Sequence, residues 1–358
     1  MKKARRCSIL VCGAGPAGSS AALAAARAGA GVLVLERRRL VGVPVRCAEY
    51  IPAPLAGSVP GGKDYIVQKT TSMRAFLHGE CIQNIAAPGC VIRRDLFDQA
   101  LARAAQEAGA RVLTGQNLLG LEDAEGGRIL VHAEAADGTK WDILADIVIG
   151  ADGPKSRVGA HVNGTNWQMI PALQVTLPLV TPLDHTRVYF DERLCAGYAW
   201  LFPKGDVANV GLGAVPNADR GTLAKDLKAF VEAMIREELV TKGVRPTCTG
   251  GWIPVQERPC VRGNILLAGD AAGHTHPITG AGIAQAVQAG EMAGRWAARA
   301  LGEGNMGLVN SYAEEWQDYY GAVLSHARKR RLAWEAHRGS LDGAIRSFWI
   351  GYREYYAA

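Results

Sequence analysis

The run CSILVC at residues 7–12, followed at once by GAGPAG, restricts this chain more than any other stretch. A short, largely apolar run closed by glycine predicts a buried strand of a parallel sheet. Gly13, Gly15 and Gly18 stand in G-x-G-x-x-G spacing, and SSAALAAARAG then predicts a helix that stops at Gly29. GVLVLE predicts a second strand ending on Glu36, 18 residues beyond Gly18. In such a unit Gly13 permits the tight turn, Gly15 lets the backbone approach a pyrophosphate, and Gly18 lets helix pack on strand. The helix start offers unpaired N–H groups and the positive end of its dipole to the phosphates. Glu36 is placed to accept from a ribose hydroxyl, and Arg37 adjoins it as a further candidate cofactor contact. The expected fold class is α/β on a Rossmann-type dinucleotide-binding domain. The unit alone leaves NAD and FAD both open.

A second glycine-rich turn lies about 250 residues later. NILLAGD at 264–270 predicts a strand ending in Asp270, and PITGAGIAQA predicts a turn through Gly280 and Gly282 that opens into a helix near Ile283. An Asp at a strand tip suits the hydroxyls of a ribityl chain. A helix start behind it places N–H groups near the flavin N1–C2=O edge, where reduction develops negative charge. RRDLFDQAL holds R-x-x-F-D-x-x-L from Arg94 to Leu101, and IVIGADGPKSRV at 147–158 holds G-A-D-G-x-x-S. Together these resemble the FAD-binding pattern of the glutathione-reductase-like flavoproteins, in the branch with aromatic hydroxylases and geranylgeranyl reductases.

Two further motifs resemble the geranylgeranyl reductase family, whose archaeal members saturate digeranylgeranyl glycerophospholipids. VGVPVRCAEYIP at 41–52 carries Cys47 where that family has C-A-E-G or C-G-x-G, and AGYAWLFP at 196–203 matches most of P-x-x-Y-x-W-x-F-P. The likeness runs over about residues 5–300. Cys195 replaces the proline of the second motif, and Tyr50 replaces the glycine after C-A-E. The resemblance implies FAD contacts at Ala17, Glu36, Cys47, Ala48, Tyr50, Arg94, Asp270, Gly282 and Ile283. It also implies a backbone contact to adenine from Leu118, in the loop after the RVLTG strand.

Aromatic residues are only 7% of the chain, yet Tyr198, Trp200 and Phe202 fall at every second position. In a strand they share one face, with Ala199 and Leu201 on the other, and Pro203 and Gly205 end it. Such a stripe is either core packing or a wall of a cavity. The resemblance favours the cavity: one side of an apolar tunnel above the flavin, with the Tyr198 hydroxyl as its polar tip. Saturating an isolated alkene needs a hydride, expected from reduced FAD, and a proton from a nearby acid. Cys47, Tyr198, His274, His276 and ordered water are the candidates. Cys47 is favoured by its expected place over the flavin, and a packing role is its alternative.

With 48% hydrophobic and 21% charged residues, the chain has material for a large core. Its net charge of +6 comes from 40 bases interspersed with 34 acids, and no dense basic tract precedes residue 326, which argues against nucleic-acid binding. The eight cysteines form no C-x-x-C pair, so no metal site is expected and a reducing cytoplasm is. The basic start MKKARR resembles a signal peptide, but the glycine turn interrupts its apolar run. No apolar stretch reaches 18 residues, so no membrane span is expected.

The FAD-binding domain is expected from residues 1–70, 91–165 and 258–308, with a mixed or antiparallel substrate domain from 71–90 and 166–257. C-terminal helices fill 309–358. There Arg328, Lys329, Arg330 and Arg331 neighbour Trp334, Phe348, Trp349 and Tyr352. These helices read either as a peripheral contact on the cytoplasmic membrane face or as a layer covering the substrate domain or a dimer contact. The function expected is an FAD-dependent oxidoreductase that saturates isoprenoid C=C bonds of an apolar lipid. Its electron donor would be external, NAD(P)H or a ferredoxin, since no second G-x-G-x-x-G unit follows a strand. A flavin monooxygenase, halogenase or dehydrogenase on the same scaffold is the alternative, although the halogenase W-x-W-x-I-P run is absent. A non-catalytic flavin carrier or redox sensor is the other.

Overall fold

A computed structural model describes residues 4–215, 222–243 and 246–356. The first half of the chain contains β1 (Arg5–Cys12), α1 (Pro16–Arg27), β2 (Val32–Glu36), β3 (Tyr50–Pro52), α2 (Ala53–Ser58), α3 (Gly62–Tyr65), β4 (Ile66–Leu77) and β5 (Glu80–Ile92). It continues through α4 (Arg94–Glu107), β6 (Arg111–Thr114), β7 (Gln116–Asp123), β8 (Ile129–Ala135), β9 (Lys140–Gly150) and α5 (Arg157–Asn163). Then come β10 (Met169–Pro178), β11 (His185–Phe190), β12 (Tyr198–Lys204), β13 (Val207–Gly213), α6 (Leu223–Arg236), β14 (Cys248–Pro254), β15 (Val261–Arg262) and β16 (Ile265–Leu267). The C-terminal helices are α7 (Ile283–Gly302), α8 (Asn310–Trp316), α9 (Ala322–Ala336), α10 (Leu341–Phe348) and α11 (Arg353–Tyr356).

The first sheet has the order β15-β16-β9-β1-β2-β6, and the β7–β8 hairpin joins it through β8 on β9. Strands β16, β9, β1, β2 and β6 run parallel. Ile9, Leu10 and Val11 of β1 and Ile147, Val148 and Ile149 of β9 are fully buried, as expected of parallel strands covered on both faces. β16 stops at Leu267, short of the expected 264–270 strand. Gly269 takes φ 64° and Gly269–Ala272 forms a 3-10 turn that carries Asp270 out of the sheet.

Helices α1 and α7 cross closely because small residues face each other. A Cβ on Gly290 would overlap the Ala17 carbonyl, and one on Gly294 would overlap that of Ala21. The alanine-rich α1 and the glycines of α7 thus let two backbones touch, which brings the two glycine-rich turns of the sequence side by side.

The second sheet has the order β14-β10-β13-β12-β11-β4-β5-β3, antiparallel except at β11–β4. It draws in Tyr50–Pro52 and all of Ile66–Ile92 in addition to the strands after residue 166. β12 lies in its middle. Ala199 and Leu201 pack with Leu212, Phe230 and Met234 beneath α6. On the other face Tyr198 and Phe202 pack against a cluster containing Trp334, Ile345, Phe348 and Trp349 of the C-terminal helices. β12 does not end at Pro203. It continues to Lys204 in register with β13, and Gly205 at φ 70° makes the turn.

Gly290→Ala should push α1 and α7 apart and destabilise the protein by about 1–3 kcal/mol. Gly302→Ala, with no neighbouring atom to meet its Cβ, should be neutral or slightly stabilising. Thermal unfolding of both variants checks this; equal midpoints would remove the crossing as a constraint.

Candidate functional site

Between β1 and α1 the glycines form an open cradle. Gly13 takes φ 102°, a Cβ on Gly18 would overlap the Gly13 carbonyl, and one on Gly15 would meet nothing within 4 Å. The first intrahelical bond runs from the Ser19 N–H to Gly15 O, so the Ala17 and Gly18 amides precede it, and no side chain caps the helix. Glu36 accepts from the Ala14 N–H (2.8 Å) and the Arg38 N–H (2.9 Å), which fixes its carboxylate beside the cradle. Arg37 lies exposed just beyond β2. A cradle with open space over Gly15, an uncapped helix start and a neighbouring carboxylate fits a dinucleotide.

The loop that carries Cys47 is tied down by a residue the sequence did not single out. Glu49 is 3% exposed and takes φ 68°, in the left-handed region. Its Oε1 accepts from the Arg94 backbone N–H (2.9 Å). Its Oε2 accepts from Lys204 Nζ (2.6 Å) and Asn209 Nδ2 (2.9 Å). Asn209 also donates to Ala48 O (3.2 Å), Gln174 to Cys47 O (3.1 Å) and Thr249 to Val45 O (2.9 Å). The loop from Val45 to Glu49 is therefore fastened to β10, β12, β13, β14 and the start of α4.

The Cys47 Sγ accepts from the Glu49 N–H at 3.2 Å. Burial pushes this thiol above its ordinary pKa, while the facing Arg94 guanidinium pulls the other way. Arg94 is itself paired to Asp98 (Nε–Oδ1, 2.6 Å). Burial pulls Arg94 down, but Asp98 and Cys47 outweigh it and the net shift is upward. Asp270, on the 3-10 turn, has its carboxyl pushed up to about 6 by burial, against the pull of Arg94. Arg94 thus links Cys47 and Asp270 electrostatically. Near them Gly280 takes φ 66°, Gly282 sits against Thr275 where a Cβ would overlap it, and Ile283 opens α7.

The three rings of β12 adjoin in sequence: Tyr198 to Trp200 at 6.0 Å and Trp200 to Phe202 at 6.4 Å between centroids. The file is longer than the motif. Trp349 meets Tyr198 at 5.3 Å, and Tyr50 meets Phe202 at 5.9 Å. Tyr50 lies over Gly89, where a Cβ would overlap its ring, and donates to Ala87 O (3.1 Å). The Tyr198 hydroxyl donates to Thr279 O (2.6 Å), joining the file to the second glycine turn; burial raises its pKa. Trp200 donates to Gln174 Oε1 (3.0 Å), and Gln174 holds Cys47 O. Tyr198, Trp200, Ile253, Ile278 and Arg331 line a cavity there. A larger cleft, among Phe76, Tyr189 and Phe230, opens under α6 on the opposite face of the sheet and touches none of these groups.

Other residues lie elsewhere than expected. Leu118 is in strand β7, not a loop, with its side chain buried in the first sheet's core. His274 stacks on Trp316 at 3.7 Å, and burial holds it down to about 3. His276 accepts from the Ile278 and Thr279 N–H groups (both 3.3 Å), and burial followed by His326 lowers it to about 4. Both imidazoles are neutral near pH 7, so neither serves as a cationic acid. The basic run is dispersed around α9: Arg331 is fully buried, Arg328 donates to Gln168 and Arg330 to Tyr355 O, while Lys329 is exposed. No described helix is long and apolar enough to cross a membrane.

Two outcomes follow from these groups. Glu49→Ala leaves Lys204 without its carboxylate and should cost about 3 kcal/mol in urea unfolding, with Glu49→Gln milder; an unchanged midpoint would show the loop is held otherwise. Asp270 binds its proton more tightly folded than unfolded. Apoprotein stability should therefore fall by roughly 3 kcal/mol as pH rises from 4 through about 6. Asp270→Asn should flatten that fall.

The family model described as FAD binding domain matches residues 63–327. A digeranylgeranylglycerophospholipid reductase of Methanothrix thermoacetophila is 36% identical, over 89% of this chain and 85% of its own. One of Methanosarcina mazei is 33% identical over 87% and 81%. Among solved structures, a geranylgeranyl bacteriochlorophyll reductase-like protein of Thermoplasma acidophilum superposes with a TM-score of 0.81 at 26% identity, over 99% of this chain and 98% of its own. A probable FAD-dependent monooxygenase of Pseudomonas aeruginosa, 19% identical with a TM-score of 0.70 over 92% and 97%, shares the fold alone. With that cradle and these relatives, the chain belongs to the FAD-binding family, among the digeranylgeranylglycerophospholipid reductases, and is an FAD-dependent oxidoreductase.

Proposed function

We propose that this oxidoreductase saturates geranylgeranyl-type double bonds of an isoprenoid lipid. The observation that carries the reading is the file of five rings, which is fastened at Tyr198 to the second glycine turn and at Trp200, through Gln174, to the Cys47 loop. An apolar chain laid along that file would pass between the two loops expected to hold the flavin. Bound FAD, once reduced by the external donor, would supply the hydride.

The protein's share is to hold the alkene and deliver a proton. Burial keeps Cys47 a thiol near pH 7, so it retains a proton to give, and Arg94 beside it would stabilise the thiolate left behind. Tyr198, with its hydroxyl engaged by Thr279 O, would orient the chain by its ring more than by its proton. In this reading the flavin lies against the sites named above at Gly13, Ala17, Gly18, Glu36, Cys47, Arg94, Asp270, Gly282 and Ile283. NAD(P)H or a ferredoxin serves as the external donor. The expected 1–70, 91–165 and 258–308 unit, without the strands at 50–52 and 66–70 that the second sheet takes up, then binds the cofactor and the second sheet the lipid. The exposed apolar residues Tyr319, Val323 and Tyr356 support peripheral contact with a lipid surface.

Anaerobically reduced protein mixed with a geranylgeranylated lipid should regain its oxidised flavin spectrum, with product heavier by two hydrogens per bond. Cys47→Ser should slow that recovery about 100-fold, and Tyr198→Phe by a smaller factor. Full rates in both variants would remove these residues from the reaction. Recovery only on admitting air would replace the reading with an oxygenase.

A further inference from the structure

The basic run of α9 contains two arginines to which the reaction proposed above gives no role. Arg328 and Arg331 are three residues apart on one helix and so lie on the same face. Arg331 is fully buried, donates through Nε to Glu335 Oε1 (2.6 Å) and through Nη1 to Pro277 O (3.3 Å). Its Nη2 is buried and has no partner. Arg328 donates through Nη2 to Gln168, and its Nη1 is likewise buried and unpartnered. Two arginines against one glutamate leave the group with a net positive charge. An unmade hydrogen bond at a buried guanidinium is costly, and two in one cluster call for an absent acceptor.

The cluster sits at one end of the ring file. Arg331 lines the same cavity as Tyr198, Trp200 and Ile278, and Ile170, two residues from Gln168, lines it too. Burial followed by Arg331 lowers Arg328, with Glu335 opposing, so the two cations feel each other. Along the wall Trp349 and the cationic group both adjoin Tyr198, and Trp200, Phe202 and Tyr50 follow. That order suits an amphiphile with an anionic head and an apolar tail.

We infer that Arg328 and Arg331 form an anion subsite that takes the phosphate of the substrate's head group, fixing which end of the lipid enters beside Thr279. Both arginines bring N–H groups to oxygen acceptors, and guanidinium geometry suits phosphate. The inference rests on the proposed lipid substrate for its tail, but the subsite is read from binding alone.

The test uses the FAD-bound protein and follows tryptophan fluorescence on titration with geranylgeranyl monophosphate, geranylgeraniol and inorganic phosphate. The phosphate ester should bind at least about tenfold more tightly than the alcohol, the size of one charge-assisted hydrogen bond. Arg328→Gln should reduce that ratio toward one, and Arg328→Lys should restore part of it. Arg331→Lys serves where Arg331→Gln does not fold. Inorganic phosphate should compete far more weakly than the ester, since it lacks the tail. A wild-type ratio near one, a ratio unchanged in Arg328→Gln, or inorganic phosphate matching the ester would each overturn the subsite. If the ratio behaves as expected yet no double bond is reduced, the reductase reading fails and the subsite stands.

Discussion

Two helices crossing at backbone contact set the geometry on which everything else rests. The glycines of α7 at 290 and 294 lie on the carbonyls of Ala17 and Ala21, so the start of α1 and the turn that opens α7 are held together. Those two segments come from opposite ends of the chain, and each presents an uncapped helix start. Joined, they bring two helix starts with free amides side by side. A side chain at either glycine would separate them by about the width of a methyl group.

The second sheet is fixed to α4 and α7 by apolar packing of Ile51, Cys90 and Ile92 against Phe97, Leu101 and Val287, and to the Cys47 loop by polar contacts. Glu49 binds Lys204 and Asn209 from the sheet and the Arg94 amide from α4. Gln174 reaches both Trp200 and Cys47 O. Buried hydrogen bonds of this kind are directional, so the ring file stands at a defined place relative to the loop of Cys47. The left-handed backbone at Glu49 is the local cost of aiming that carboxylate inward.

What the sequence displays is what local spacing encodes. The glycine turns and the alternating rings of β12 are periodic or contiguous signals, and they lie where their spacing puts them. Glu49 and Gln174 carry no such signal: their partners are 155 and 127 residues away. Tyr50 and Trp349 extend the ring file from separate elements for the same reason. The histidines of the 274–276 stretch are proton-donor candidates by sequence, yet stacking on Trp316 and backbone bonding at the second turn bury them, which only the packing of α8 and α11 decides. Likewise a basic run in α9 looks like a single charged surface until the helix phase is known.

The rings of β12 recur every second residue, about 6.6 Å apart along the strand, and the Tyr198–Phe202 stretch has the same chemistry at each step. A wall with a repeat has no unique register for a flexible branched chain: displaced by one step, the chain finds nearly equivalent contacts. For a lipid laid along it, such a surface would grip the whole chain without itself choosing a register. Position along the file would then be set at its ends, by Tyr50 and by the arginines beside Tyr198, and not by the rings between them.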